Sequence, residues 1–376
     1  MDACRARHNR SSRRAFANSR RILVAAAALA CAGAASATHL TTPPSASKPT
    51  VAWGFNDDWG WRKAEFHPRL ADRQLRYAGH VMPDELSADR FHVQWATAEP
   101  RRGHFRWGRT DRVYAAMRQY AAHPIMVLYN APWWARDPHA RCHADADCAY
   151  PPRVKRLDEW RRFVRRATAR YPDVRAIEVW NEPNLARFWA PRADPQRYAR
   201  LLAAAHDAAT AAGATAPVIS GGLIPIEHGR RNMDPAEFLW RVYNVAGAAA
   251  FDGIGSHPYP RQAPYVDNMW VALDALRAVR AANDDASTPL WITEVGVSTH
   301  APGGVGVDEQ GGVLVDLYRS IEGHDVRSFV IHRFQVGAEG GYWNGTAVVG
   351  NHFAQKPAFC ELGAAIGIPC EEYFSG

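Results

Sequence analysis

One pattern recurs along most of this chain: a short apolar run, a loop rich in Gly, Pro or polar residues, and then a longer amphipathic helical stretch. Eight such runs follow one another along the chain. They begin at Val51, Arg90, Ile125, Ala176, Pro217, Gly253, Leu290 and Ser328. Helical patterns separate them, for example over 158–171, 194–212, 267–282 and 309–322. This alternation predicts parallel strands that are joined by helical crossovers.

Eight such units in one unbroken chain favour a closed sheet over an open one. The glycine fingerprint of a dinucleotide-binding fold does not follow the first run, and no Gly/Ser or Pro-rich linker interrupts the middle of the sequence. We therefore predict an α/β fold, a single-domain (β/α)8 TIM barrel over residues 51–376.

The first 37 residues are typical of an export signal. Ser12-Arg13-Arg14-Ala15-Phe16 resembles a twin-arginine motif, an alanine-rich apolar run covers 22–34, and Ala35-Ser36-Ala37 supplies small residues for signal peptidase. We expect cleavage after Ala37, a flexible leader over 38–50, and a periplasmic or secreted protein. Two alternatives are an N-terminal membrane anchor, for which the run is short, and a lipid on Cys31.

Export changes what the charge implies. Residues 1–37 hold seven arginines and one aspartate, so they carry six of the seven net positive charges of the whole chain. The remaining chain is close to neutral and shows no basic stripe, which argues against a nucleic-acid partner. After cleavage we expect no stable membrane span, and we expect a monomer.

Four cysteines remain after cleavage, in two local pairs: Cys142 with Cys148 and Cys360 with Cys370. In an oxidising compartment they predict two small disulfide loops, and four free thiols are the alternative. Neither pair has the close spacing typical of zinc ligands. Two aspartates between Cys142 and Cys148 suggest calcium, although a loop pinned by a disulfide explains this segment better. We expect no cofactor and no metal.

Two glutamates stand where apolar runs end, which is where barrels carry their chemistry. Glu182 follows the fourth run in Trp180-Asn181-Glu182-Pro183-Asn184, and Glu294 ends the seventh in Ile292-Thr293-Glu294-Val295-Gly296. Hydrolysis of a glycosidic bond needs one carboxyl group to protonate the leaving oxygen and a second to meet the oxocarbenium-like carbon. Carboxyls about 5 Å apart would attack directly and retain the anomeric configuration. A loop and helix-start role for Asn-Glu-Pro is the alternative.

These two motifs resemble the paired signatures of clan A glycoside hydrolases, and within the clan the chain is most similar to family thirty-nine and related bacterial polysaccharide hydrolases. Other segments agree with the resemblance: Arg90, 95–107, Ala131-Pro132-Trp133-Trp134, Gly221-Gly222 and His257-Pro258-Tyr259. It implies that Glu182 is the acid/base and Glu294 the nucleophile.

The resemblance also implies roles for neighbouring side chains. Asn181 would bind the sugar hydroxyl next to the reacting carbon, Arg90 and Tyr259 would hold Glu294, and His257 would orient Glu182 or a sugar hydroxyl. Glu178 has the same strand parity as Glu182, so we expect it deeper in the barrel and paired with Arg90. We interpret Glu99 as structural.

One departure from the clan concerns the eighth run, which ends in His332-Arg333-Phe334-Gln335 where relatives commonly carry a tryptophan. Trp343 in the following loop is the candidate replacement. The chain has fourteen tryptophans, and among those in predicted loops we expect Trp133 and Trp343 to stack on sugar rings.

The sequence thus predicts a retaining O-glycosidase that acts on an extracellular or envelope oligo- or polysaccharide. Loops rich in tryptophan favour an open groove and endo action. Two alternatives remain: an exo-acting, β-xylosidase-like β-glycosidase, and a carbohydrate-binding barrel that has lost catalysis. Transglycosylation uses the same covalent intermediate, so that the sequence does not separate it from hydrolysis.

Overall fold

The computed structural model describes residues 51–56, 74, 78, 87–120, 123–141, 148–225, 229–300, 302–336, 341–350 and 353–365. The predicted export signal and leader, residues 1–50, lie outside these ranges. Cys142 and Cys370 also lie outside them, so that both disulfides stay predictions. Within the described ranges, no helix is both long and apolar enough to cross a membrane.

The described residues contain eight β-strands, and every paired neighbour is parallel. The strands are β1 (Ala52–Phe55), β2 (Arg90–Gln94), β3 (Ile125–Tyr129), β4 (Ala176–Val179), β5 (Val218–Ser220), β6 (Ile254–Ser256), β7 (Leu290–Val295) and β8 (Val326–Ile331). They form two four-stranded sheets, in the orders β1-β8-β7-β6 and β2-β3-β4-β5. Each of the eight predicted runs is a strand, so the α/β prediction is confirmed.

Helices occupy the segments between the strands. They are α1 (Trp95–Ala98), α2 (Gly108–Tyr120), α3 (Leu157–Arg170), α4 (Pro195–Ala211), α5 (Pro235–Ala246), α6 (Tyr265–Ala281), α7 (Gln310–Ile321), α8 (Tyr342–Gly345) and α9 (Pro357–Ala365). Two begin with an aspartate cap followed by proline. Asp194 accepts from Arg197 N, and Asp234 accepts from the N–H groups of Ala236 and Glu237. Such caps satisfy otherwise unpaired N–H groups, which explains where α4 and α5 begin.

Isolated parallel bridges connect the outer strands of one sheet with those of the other. Trp53 pairs with Ser87 and Asn56 with Arg90, next to β1 and β2. On the opposite side, bridges join Ile219 to Gly253 and Leu223 to Ser256, next to β5 and β6. The backbone hydrogen bonds from Ala88 N to Trp53 O and from Ser220 N to Gly253 O, both 3.0 Å long, accompany these bridges.

Strand alternation arranges the inward-facing side chains in layers. A small buried apolar cluster draws on strands of both sheets; its members are Ala52, Ala88, Ile125, Ala176, Ile219, Trp291 and Val330. Three polar residues follow members of this cluster by two positions: Arg90 after Ala88, Glu178 after Ala176, and Thr293 after Trp291. All three have no exposed surface. Because strand side chains alternate with a period of two, these three polar residues share the face of the apolar layer. A polar layer therefore lies directly beyond an apolar one, towards the carboxyl ends of the strands.

Candidate active site

Glu182 and Glu294 meet at the carboxyl ends of β4 and β7. Both are buried, with 6% and 7% of their surface exposed. One carboxylate oxygen of each, together with a ring nitrogen of His257, forms a group of atoms that all lie within 4.8 Å of one another. Two carboxyls separated by 112 positions in the sequence thus face a common space.

The backbone after β4 is unusual in the turn that carries Glu182. Trp180 has φ = 79° and Glu182 has φ = 41°. Both values lie in the left-handed region, which residues other than glycine rarely adopt. The turn stays attached to the sheet because Trp180 N donates to Leu128 O at 2.9 Å. Gly221 makes this packing possible, since a Cβ there would lie 2.6 Å from Trp180 O. Strained backbone of this kind costs about 1–3 kcal/mol per residue and clusters at functional sites.

At the end of β7, the adjacent residues Thr293 and Glu294 both face the site. A regular strand would send them to opposite faces. The pairing of β7 with β8 shifts register between Ile292 and Val295, on either side of these two residues. Irregularities of this kind redirect a side chain locally.

Glu294 accepts hydrogen bonds from three different segments of the chain. Arg90 Nη1 donates to Oε1 at 2.5 Å, Asn56 Nδ2 donates to the same oxygen at 2.7 Å, and Tyr259 Oη donates to Oε2 at 2.8 Å. Burial, followed by the charge of Glu294, raises the pKa of Tyr259 well above its usual value, so its hydroxyl keeps the proton that it donates. These donors stabilise Glu294 as a carboxylate.

Arg90 lies at the centre of the network and has no exposed surface. Its Nε and Nη2 donate to Glu178 at 2.7 and 3.0 Å, and Nη2 also donates to Asn181 Oδ1 at 2.7 Å. Burial alone would lower the pKa of Arg90, but the carboxylates of Glu178 and Glu294 raise it above its usual value. One guanidinium faces these two carboxylates, and within the described ranges no Arg or Lys makes an ion pair with Glu182.

Glu182 has a contrasting environment. Burial, and then the charge of Glu294, raises the pKa of Glu182 well above its usual value. Its Oε1 lies 2.9 Å from His257 Nδ1. The same ring nitrogen lies 3.5 Å from Glu294 Oε2. This arrangement favours a protonated Glu182 beside an ionised Glu294.

His257 connects Glu182 to the polar layer. Its Nε2 lies 3.1 Å from Thr293 Oγ1, and the Thr293 hydroxyl in turn donates to Glu178 Oε1 at 3.1 Å. Burial, and then the charge of Arg90, lowers the pKa of His257 well below its usual value, so the ring is neutral. Gly222 gives the ring its space, because a Cβ at that position would come within 2.1 Å of Nε2.

Trp133 and Trp343, the two tryptophans predicted to stack on sugar rings, occupy different positions relative to the glutamate pair. The ring of Trp343 packs edge-on against Tyr259 at a centroid distance of 5.2 Å and against His332 at 5.6 Å. It therefore borders the glutamate pair at the end of β8, where the sequence lacks the expected tryptophan. Trp133 is 70% exposed. Within the described ranges, no hydrogen bond or ring contact ties Trp133 to the network.

Most of the predicted site residues therefore form one hydrogen-bonded network: Arg90, Asn181, Glu182, His257, Tyr259 and Glu294. Glu178 pairs with Arg90, as expected. Glu99 accepts from Trp95 Nε1 and Gly103 N and pairs with Arg162, which is consistent with a structural role.

Sequence reasoning did not assign roles to two members of the network. Asn56, directly after β1, contacts Glu294, and Thr293 connects His257 with Glu178. The rule that found the glutamates, a polar residue where an apolar run ends, also fits Asn56. Thr293 gave a weaker signal, because threonine is common within strands.

Among the described residues, one group has the geometry to hold a metal ion: Glu182, His257 and Glu294. Arg90 already lies against the Glu294 carboxylate at 2.5 Å. A guanidinium in that position supplies the positive charge that an ion would otherwise bring, and it repels a cation. Acid/base and nucleophilic chemistry suits this group better than metal binding.

No protein-family model matches the sequence, and no curated protein sequence matches it either. Several solved structures, in contrast, are similar to this chain. A family 39 glycoside hydrolase from the gut symbiont Bacteroides cellulosilyticus superposes with a TM-score of 0.64 at 17% identity, over 85% of this chain and 64% of that chain. The chain thus spans less than two thirds of that relative's length.

Two further structures extend the likeness. A monomeric β-xylosidase from Caulobacter crescentus has a TM-score of 0.64 at 18% identity and covers 86% of this chain and 70% of that chain. A β-galactosidase from Marinomonas has a TM-score of 0.57 at 13% identity and covers 84% of this chain and 59% of that chain. At these identities the likeness shows the fold. The resemblance to family 39 and related clan A glycoside hydrolases that the motifs indicate is thus confirmed for the fold.

Proposed function

We propose that this protein is a retaining glycoside hydrolase in which Glu182 is the acid/base and Glu294 is the nucleophile. One observation carries the proposal: one oxygen of each buried carboxyl lies within 4.8 Å of the other, and Glu294 accepts three hydrogen bonds. Retaining enzymes separate their carboxyls by about 5–5.5 Å, whereas inverting enzymes need about 6.5–9.5 Å for a water molecule. The likeness to several glycoside hydrolases supports the reaction class.

In the first step, a carboxylate oxygen of Glu294 bonds to the anomeric carbon while the glycosidic C–O bond breaks. The proton of Glu182 passes to the departing oxygen, so that the aglycone leaves as an alcohol. Arg90, Asn56 and Tyr259 keep Glu294 ionised and aimed during the attack. Asn181, which Arg90 holds, binds the hydroxyl next to the reacting carbon.

In the second step, a water molecule attacks the anomeric carbon and the bond to Glu294 breaks. Glu182 now accepts a proton from that water and returns to its starting state. Configuration inverts twice and is therefore retained. Raised basicity of Glu182 serves both steps, because the same group must hold a proton before cleavage and take one afterwards.

We propose further that the two sheets close into one (β/α)8 TIM barrel that forms a single catalytic domain over 51–376. The bridges at both sheet edges and the shared apolar cluster support closure. Residues 1–37 would export the chain and be removed, 38–50 would be a leader, and the mature protein would work as a monomer in the periplasm or outside the cell. The two disulfides would form in that compartment.

The proposed substrate is an extracellular or envelope polysaccharide that the enzyme cleaves internally. Trp133, 70% exposed and outside the network, suits a subsite at some distance from the cleaved bond. Exo action is the alternative within the same chemistry, and the likeness to a β-xylosidase favours it. A carbohydrate-binding barrel without catalysis is the alternative from another class, but a buried pair with two distinct environments argues for chemistry.

The test is hydrolysis of a panel of plant-wall and biofilm polysaccharides and aryl β-glycosides by purified protein. Product sizes separate endo from exo action, and proton NMR during the first minutes of the reaction reports the anomer released. We expect the retained anomer. Release of the inverted anomer would contradict the mechanism, and binding to a glycan without turnover would support the binding barrel.

A further inference from the structure

Four side chains behind the glutamate pair form a continuous chain of hydrogen bonds. It runs from Glu178 to Thr293, from Thr293 to His257, and from His257 to Glu182, with contacts of 3.1, 3.1 and 2.9 Å. Glu178, Thr293 and His257 have no exposed surface, and Glu182 has 6%. Water therefore has little access to these groups, and each contact needs one donor and one acceptor from the side chains themselves.

The position of each proton follows from the Glu178 end. Glu178 Oε1 accepts from Arg90 Nη2 at 3.0 Å and from Gly222 N at 2.9 Å, in addition to its contact with Thr293. A carboxylate held by a guanidinium is an acceptor only. The single hydroxyl hydrogen of Thr293 is therefore directed at Glu178, and charge-assisted bonds of this kind are about twice as strong as neutral ones.

Thr293 Oγ1 then has only lone pairs to offer to the histidine. The contact with His257 Nε2 requires that Nε2 carries the ring proton. Because this ring is neutral, its Nδ1 is unprotonated and acts as an acceptor. The opposite tautomer would place the Thr293 and Glu178 oxygens at 3.1 Å with no hydrogen between them.

We propose that Thr293 is a positioning residue that fixes the tautomer of His257, so that Nδ1 of His257 accepts a hydrogen bond from the protonated carboxyl of Glu182. The contact between Nδ1 and Glu294 Oε2, 3.5 Å long, is too long to compete for that role. The proposed function gives this proton its purpose, because it is the one that the leaving group receives. The order of hydrogen bonds, in contrast, follows from the contacts alone.

The tautomer has a consequence for both steps of the reaction. While Glu182 is protonated, its hydroxyl donates to Nδ1. Once the proton has left, two acceptors face each other at 2.9 Å. This repulsion disfavours the ionised form of Glu182 and makes it a stronger base towards water in the second step.

The charged and titratable groups that act on Glu182 and His257 come from several elements. Arg90, Glu178 and Glu294 act from β2, β4 and β7, Arg187 from the segment after β4, and His332 and His92 act on His257. A substitution at Thr293 leaves all of these in place. A changed pH profile would therefore report the tautomer rather than the loss of a charge.

The first test needs no substrate. Long-range proton–nitrogen NMR of the uniformly 15N-labelled protein distinguishes the two ring nitrogens, because Nε2 couples to both ring C–H protons and Nδ1 chiefly to one. The His257→Gln variant identifies the signal. We expect a protonated-type Nε2 and an unprotonated-type Nδ1. A protonated Nδ1 in the neutral ring would overturn the proposal.

The second test uses Thr293→Val, which keeps the side-chain shape and removes the hydroxyl. Nε2–H then loses its acceptor and Nδ1–H becomes the favoured tautomer, which donates to the Glu182 carboxylate and favours its ionised form. We expect the alkaline limb of kcat/KM to move to lower pH by about one unit, with about tenfold less activity above it. Thr293→Ser keeps the hydroxyl and should restore the limb.

Two controls separate this effect from general damage. A dinitrophenyl glycoside needs little acid assistance in the first step, so Thr293→Val should lower its kcat/KM by less than about threefold. Thr168→Val removes a buried hydroxyl on α3 that makes no hydrogen bond within the described ranges, and it should leave the pH profile unchanged. Equal losses on both classes of substrate, with an unmoved alkaline limb, would contradict the proposal.

The outcomes also separate this proposal from the proposed function. If NMR finds Nε2–H but no glycoside is hydrolysed, the tautomer assignment stands and the proposed activity fails. If glycosides are hydrolysed with retention but Nδ1 carries the proton, the activity stands and Thr293 is not its positioning residue. Thr293→Val failing to fold would not affect the NMR result on the unaltered protein.

Discussion

Glu182 and Glu294 are the same residue type, equally buried and within 4.8 Å of each other, yet their surroundings are opposite. At the end of β7, three donors from three elements converge on Glu294. After β4, Glu182 contacts the neutral imidazole of His257, and burial raises the pKa of Glu182. Two carboxyls with the same burial thus differ in the hydrogen-bond donors around them, and this difference favours an ionised Glu294 and a protonated Glu182.

The sharpest test of this comparison is to replace each carboxyl by its amide. Glu294→Gln should lose ~10⁴-fold or more of kcat with every substrate, because in the proposed mechanism Glu294 forms the covalent bond. Glu182→Gln should lose ~10²–10⁴-fold with poor leaving groups and far less with a dinitrophenyl leaving group, which needs no proton. Steady-state kinetics on both substrate classes measure the difference.

Azide provides the matching control, because it attacks the covalent intermediate without needing a general base, whereas without Glu294 it could attack only the substrate itself, which gives inversion. We expect azide to accelerate Glu182→Gln with the dinitrophenyl glycoside and to yield a glycosyl azide of retained configuration. Equal losses for the two variants, with rescue of neither, would show that the two carboxyls do not differ as proposed.

Removing the central cation should break the comparison at its source. Arg90→Met leaves Glu178 and Glu294 buried without their guanidinium, and removing one partner of a buried ion pair costs about 3–5 kcal/mol. Urea denaturation measures the free energy of unfolding. The control is Arg165→Met on the exposed face of α3, which should change it by less than about 0.5 kcal/mol. Equal values for the two variants would argue against Arg90 as the cation that holds the site together.

A smaller effect is expected for one donor to Glu294. Tyr259→Phe removes the hydroxyl at Oε2 and keeps the ring against Trp343. Hydrogen bonds to charged groups contribute about 1.5–3 kcal/mol, so kcat/KM should fall ~10–100-fold. Tyr342→Phe is the matched control, because its hydroxyl is buried without a hydrogen bond in the described part of the chain. A Tyr259 variant as active as the Tyr342 variant would remove this donor from the comparison.

Local pattern was sufficient to predict the strands and the glutamates from the sequence. The eight apolar runs specify strands because buried parallel strands need apolar side chains on both faces, and the helical segments carry their own caps, such as Asp194 and Asp234. The glutamates stood out because each ends such a run. These features depend only on residues that are close together in the sequence, so the sequence is sufficient to predict them.

Tertiary structure decided which partners each glutamate has. The Asn56 contact with Glu294 spans 238 positions, and the register shift in β7 directs adjacent Thr293 and Glu294 into one site. The need for Gly222 also appears only when the His257 ring lies against it. The sequence alone thus determined where two carboxyls would stand, and the packing of distant segments determined the surroundings of each, because a carboxyl's proton affinity depends on the donors, charges and solvent around it.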